Sequence, residues 1–159
     1  MNNDNTRTAL DALDLLMQDH RELEWLFREF EHRQQKHQDL TGVIANVCAE
    51  LRIHDTLATE IFYPAVEAHT DEAVERLVSA AEEEHDTILE LVEEVEKAHA
   101  DDRRRNAHFM RVIQHVKQRV LKAETELFPL VKQFGAIDLE AVAVAMTVRK
   151  AELMAEMPA

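Results

Sequence analysis

Glycine and proline are scarce, 2 and 3 in 159 residues, which leaves little material for hairpin turns and argues against strands. Ala, Leu, Glu, Val and Arg are abundant instead and favour helix almost throughout. Basic residues are outnumbered, 18 against 32 acidic ones, for a formal charge of −14. A surface of that sign repels polyanions, so neither nucleic acid nor anionic lipid is an expected partner. The run Arg103-Arg104-Arg105 follows Asp101-Asp102 at an expected helix start and reads as a solvated turn. No apolar stretch reaches spanning length, and Met1 to Thr8 are polar, so the expectation is no membrane segment, no secretory signal and a cytoplasmic location. The single cysteine, Cys48, falls in the helical pattern Val43, Ile44, Val47, Leu51 and reads as a small buried apolar residue. No Ser-His-Asp or Cys-His arrangement and no glycine-rich phosphate loop can be made out. By length the chain is one domain, able to bury a core without disulfides or metal.

What is present is helical periodicity. Leu13, Leu16, Met17, Leu23, Leu26, Phe27 and Phe30 recur at three- and four-residue spacing and predict a first helix from about Thr8 to His37. Asp39 or Thr41 caps a second, through Val43, Val47, Leu51, Leu57, Ile61 and Val66 to about Ala68. Thr70 or Asp71 opens a third, ending near His99, and Asp101 or Asp102 a fourth, ending before Gly135. Four similar helices on short links predict an all-α, antiparallel, up-down-up-down four-helix bundle over residues 8–135. A shorter fifth helix, over 138–156 and capped by Asp138, is apolar on more than one side. Packing on the bundle and a homodimer contact are its two expected uses. Pro64 and Pro129 lie inside helical stretches, where each should kink its helix or end the regular part. Aligned on these prolines, His54–Pro64 and Arg119–Pro129 echo one another, so the second and fourth helices present equivalent faces to the axis.

A histidine lies near the middle of each bundle helix: His20, His54, His85 and His115. Helices of alternating direction bring such positions to one level, where imidazole and carboxylate suit iron, zinc or manganese. Glu24 lies one turn from His20, on its face. A lone histidine is more often a core or surface residue than a ligand, which is the reading for His32, His37, His69, His99 and His108.

The ordered set Asp19-His20-Arg21-Glu22-Leu23-Glu24-Trp25-Leu26-Phe27, then Leu51-Arg52-Ile53-His54 ahead of Glu60-Ile61-Phe62-Tyr63-Pro64, then Glu84-His85-Asp86, then Glu124-Thr125-Glu126-Leu127-Phe128-Pro129 resembles the successive helices of bacterial hemerythrin-like HHE proteins, from about Leu10 to Leu153. The resemblance implies two non-haem irons between four helices, with terminal histidines and two bridging carboxylates, serving dioxygen or related small-molecule binding or the sensing and storage of iron and oxygen. By position His20, His54 and His85 match family ligands. Three positions depart. Ala58 stands where the family has Glu, Arg119 where it has His, and Ala123 where it has the first of an acidic pair, leaving Glu124. Arginine cannot ligate and places a fixed cation in the site, where an ion pair with Glu124 or Glu126 is expected. His115, one turn before Arg119, is a candidate replacement ligand at a displaced level. Glu60, about 120° round the helix from His54, reaches the site only if Pro64 distorts the helix.

Three functions compete on this reading. The first is a binding or sensing protein with a rebuilt, single-ion site of His20, His54, His85 and Glu124, or a two-ion site with rescued ligands. The second is a metal-free bundle acting through partner contacts. An enzyme ranks last, since no acid/base pair beyond the candidate ligands is identifiable. A void lined by Ala58, Ala123 and histidines, beside Arg119, would admit a planar cofactor such as haem.

Overall fold

The stripe Leu13, Leu16, His20, Leu23, Phe27, Phe30 is buried at spacings of three and four, and an apolar stripe of that kind needs a neighbouring helix to cover it. The computed structural model describes residues 10–68 and 72–157, and there the chain is helical with short links and no strand. Helix α1 is Ala12–Gln35, α2 Thr41–Leu57, α3 Tyr63–Glu67, α4 Glu72–Lys97, α5 Asp102–Lys122, α6 Phe128–Gln133 and α7 Leu139–Ala155. One π-helical turn, Ala58–Phe62, joins α2 to α3, and a second, Ala123–Leu127, joins α5 to α6. Four long rods result, α1, α2–α3, α4 and α5–α6, forming the expected all-helical bundle, with α4 packed along α5 and α1 against α2.

Polar side chains set the ends. Asp11, missed in the sequence, starts α1 with a reciprocal box: its carboxylate accepts from the Asp14 N–H and Asp14 accepts from its own. Asp101 and Asp138 cap α5 and α7 as expected. Asp39 accepts from the backbone and hydroxyl of Thr41 ahead of α2. The proposed openers of α4, Thr70 and Asp71, lie outside the described residues.

The regular α-helix ends at Leu57 and at Lys122, ahead of Pro64 and Pro129, and each rod continues through a π turn. Pro64 and Pro129 have no N–H to give, and a plain α-helix would drive each ring into the carbonyl four residues back. Widening by one residue removes the conflict: Tyr63 N–H bonds the Ala58 carbonyl and Phe128 N–H the Ala123 carbonyl, five residues back, and the helix then resumes. Thr59 and Thr125 turn their hydroxyls onto the carbonyls of Asp55 and Leu121, at 2.8 and 2.7 Å.

The core falls into two apolar clusters. One contains Leu23, Phe27, Phe30, Val47, Leu51, Ile88, Phe109 and Val116. The other contains Leu13, Leu16, Leu57, Phe62, Val66, Val78, Ala123 and Leu127. In three rods the break between them falls at His20, His54 or His85, and in the fourth it falls just after Arg119, between Val120 and Ala123. Cys48 is buried as expected, and burial pushes its thiol up to about 11.

Helix α7 buries Ala143 and Met146 and packs on α1, α2 and the first π turn. Two adjacent cations pin it: Lys150 to Asp19 at 3.1 Å and Arg149 to Glu60 at 3.0 Å. Val144 and Val148 point outward.

His37 ends α1 with φ of 53°. The bonds Gln38 N–H to Arg33 and His37 N–H to Gln34 close a Schellman turn. A side chain in that left-handed region costs about 1 kcal/mol. His37→Gly should therefore raise stability by about 0.5–1 kcal/mol, read as a higher urea midpoint at unchanged slope.

Candidate metal centre

His20, His54 and His85 meet at one depth, with ring centroids 5.5 Å apart for the first pair and 5.7 Å for the second. His20 and His85 are buried, as is Arg119, the fourth member of the layer. Each is placed by its helix period, since it occupies a slot in a stripe otherwise made almost wholly of apolar residues. Two small voids of about 20 Å³ flank the layer, and all four side chains line both. Each void has room for about one water or ion.

A carboxylate stands behind each of these four groups, and it always comes from a neighbouring helix. Asp19 of α1 lies 3.5 Å from Nδ1 of His54, and Asp55 of α2 lies 3.4 Å from Nδ1 of His85. Glu84 of α4 lies 3.4 Å from Arg119, and Glu124, after α5, lies 3.9 Å from Nδ1 of His20. The four pairs close a ring round the bundle: α1 to α2, α2 to α4, α4 to α5, and back to α1. The acid precedes the layer residue by one on α1 and α4 and follows it by one on α2. Neighbours in a helix point about 100° apart, so one faces the axis while the other faces the next helix. The alternation of order reflects the alternation of chain direction.

A carboxylate at Nδ1 fixes a histidine tautomer and leaves Nε2 as the coordinating nitrogen. Nε2 of His85 is already engaged, 3.0 Å from the Tyr63 hydroxyl. Burial, the neighbouring imidazole of His54 and the Arg119 cation hold His20 down to about 3, and the same influences with His20 hold His85 down to about 3. Both rings are neutral. Burial pushes the Tyr63 phenol up to about 12 against the pull of Arg119. Burial works against the charge of Asp19, but His54 and Lys150 hold its carboxyl below the ordinary value.

Several sequence expectations change. Arg119 pairs with Glu84, not with Glu124 or Glu126, and Glu84 is also held by Lys122 at 2.9 Å. His115 is half-buried one turn along α5 and lines neither void, because a turn displaces it about 5–6 Å from the layer. Glu60 is exposed and bound to Arg149; the π turn does not swing it inward. Glu24 is exposed beside the layer, on a groove that it shares with Glu124 and His20. Ala58 and Ala123 do line a void with the histidines, but at about 20 Å³ it excludes a porphyrin, which needs hundreds of cubic ångströms. Tyr63, Phe62 and Phe128 fill the rest of the space.

The residues do not fit a dinuclear centre. Both bridging positions are alanine and a buried guanidinium occupies a ligand position. Among the described residues no three of His, Cys, Asp and Glu are placed to hold an ion. The donor chemistry that survives is three imidazoles with carboxylates behind them. Asp19, Asp55 and Tyr63 were not singled out from sequence. The signal was there for two of them, since Asp19-His20 and His54-Asp55 are adjacent pairs, but the acid of each pair serves the histidine of the next helix.

The neutral histidines imply a pH dependence. Both fold with pKa near 3 against an ordinary 6.5, so below 6.5 the unfolded chain binds protons that the folded chain does not. Their contribution is whole above that value and is lost as pH falls, by about 2 kcal/mol per histidine at about pH 5. Urea unfolding of chelator-treated protein should show this loss, and a His20→Gln, His85→Gln double variant should show less of it.

Comparison with known proteins gives one family match: the model for the hemerythrin HHE cation binding domain covers residues 11–131. No curated protein and no solved structure matches the chain. Most of the chain, including every member of the polar layer, lies within the match, and the protein belongs to the hemerythrin HHE cation-binding domain family.

Proposed function

We propose that this bundle is a single-cation member of its family, holding one ion through His20, His54 and His85 and lacking the dinuclear centre. The supporting observation is the carboxylates behind the imidazoles: His54 and His85 each have one within 3.5 Å of Nδ1, the arrangement that orients imidazole for coordination. Iron is the ion we favour, because an imidazole set without bridging carboxylates leaves coordination positions open to a small molecule such as dioxygen. Binding of such a ligand, or sensing of iron or oxygen in the cytoplasm, is the role proposed. Turnover is not, since no further acid/base pair accompanies the layer. A second ion is disfavoured by charge: a divalent ion about 6 Å from a guanidinium is repelled by about 5 kcal/mol at an effective dielectric constant of about 20. The bridging carboxylates that would offset this are absent.

The rival reading is a metal-free bundle acting through partners. The specific observation in its favour is that Tyr63 holds Nε2 of His85 and Arg119 is already neutralised by Glu84, so the layer is stable as protein alone.

Elemental analysis of protein purified without chelator decides between them. The single-cation reading expects close to one iron per chain, lost in His54→Ala, and a chelator-sensitive melting temperature. Absence of stoichiometric metal, with melting indifferent to chelator, establishes the rival. Restoring the family residues, Ala58→Glu, Arg119→His and Ala123→Glu together, should add a second ion.

A further inference from the structure

The ring of carboxylates has one open link. Three of its pairs lie at 3.4–3.5 Å, but Nδ1 of His20 and Oε1 of Glu124 are 3.9 Å apart, too far for a hydrogen bond. His20 Nδ1 is buried and has no partner among the described residues. Asp55 Oδ1 also lacks an aligned bond but has His85 Nδ1 at 3.4 Å. An orphaned buried nitrogen is costly, and here it lies behind an opening: His20 lines a groove of about 390 Å³ between α1 and α5. Apolar side chains, Leu23, Phe27, Val116, Val120 and Leu121, make much of its surface.

We propose that this groove binds a primary ammonium with an apolar body, the ammonium bridging His20 Nδ1 and Glu124 and facing Glu24. The charge at this end selects the ligand. Burial and the neighbouring carboxylate of Glu24 raise the Glu124 carboxyl against the pull of Arg21, and among the described residues neither acid is in a salt bridge with a lysine or arginine, so an anion is rejected and a cation favoured. Of the two cations along the groove, Lys117 is directed to Glu31 at 3.8 Å and Arg28 lies one turn beyond Glu24 on α1, so the end at Glu24 and Glu124 stays the acidic one. The span of 3.9 Å selects further. A donor about 2.9 Å from both atoms subtends about 85° there, close enough to the spread of two N–H bonds. A metal at about 2.1 Å from both would need an angle of about 136°, well away from tetrahedral or octahedral values. The volume falls in the range of small-molecule pockets, and the apolar wall receives the body of the ligand. An ammonium that donates to Nδ1 holds His20 as the Nε2–H tautomer, so this site is filled in the ion-free layer and competes with an ion on Nε2.

The test is calorimetric titration of the chelator-treated full chain with n-hexylamine, 1-hexanol and hexanoate. The expected result is saturable binding of one hexylamine, hexanol weaker by about tenfold or more and hexanoate not bound, with Glu124→Gln and Glu24→Gln each weakening the amine by about tenfold. Glu50→Gln, a carboxyl in a different pocket under α7, should leave the affinity unchanged, which removes general attraction to an acidic protein as the cause. Equal binding of amine and alcohol, no saturable binding, or equal loss in Glu50→Gln and Glu124→Gln overturns the proposal. Should Mn²⁺ instead bind one per chain and be lost in Glu24→Gln but kept in His54→Ala, the groove is a metal site and the proposal falls. Circular dichroism melting of each variant confirms that it folds. Metal stoichiometry of the untreated protein fails or succeeds separately, since no ion is present in the titration.

Discussion

Burying a guanidinium and imidazoles in the middle of a helical bundle requires that each be matched, because an unpaired charge or donor in a dry core costs several kcal/mol. The ring of carboxylates meets that requirement at every link but the one between His20 and Glu124, and much else in the structure follows from it. It forces the apolar core into two clusters, and it ties the four rods to one another at a single depth. Nothing in apolar packing alone would fix that depth, since leucine stripes can slide by a turn with little change of area. Asp19 to His54, Asp55 to His85 and Glu84 to Arg119 lock the register.

The same constraint explains why the departures from the family pattern occur together. An arginine in a ligand position is tolerable only with a carboxylate in reach and no second divalent ion beside it. Glu84 supplies the first condition, and alanine at both bridging positions fits the second. His20 and His85, held neutral chiefly by burial, sit beside that cation without adding charge. A polar layer joined at three of its four links has the further effect of discouraging alternative packings, because any slip leaves several groups unpaired at once.

The fold was legible because it rests on local information: three- and four-residue spacing of leucine, valine and phenylalanine, and acids at helix starts. The depth match of His20, His54 and His85 was legible for the same reason, since links of a few residues leave little freedom of register. What was not legible depends on angles between helices. The partner of Arg119 was sought on its own helix, at Glu124 or Glu126, whereas a buried side chain at that layer meets the next helix, where Glu84 waits. His115 looked equivalent to the other histidines by sequence position, yet the odd rod carries Arg119 at the layer and His115 one turn away. Glu60 was expected to need proline-induced distortion to reach the axis. The distortion exists, but it is absorbed in backbone hydrogen bonding and leaves the side chain with Arg149.

The two widened turns carry a consequence for how the centre is built. Their shape is imposed by Pro64 and Pro129, which forbid the ordinary helical bond four residues back, and by the tyrosine and phenylalanine amides that reach to Ala58 and Ala123. Imposed covalently, that widening does not depend on anything lodged between the rods. The main chain around the layer is thus preorganised, and changes of side chain there act on a scaffold whose contour was settled by two imide rings.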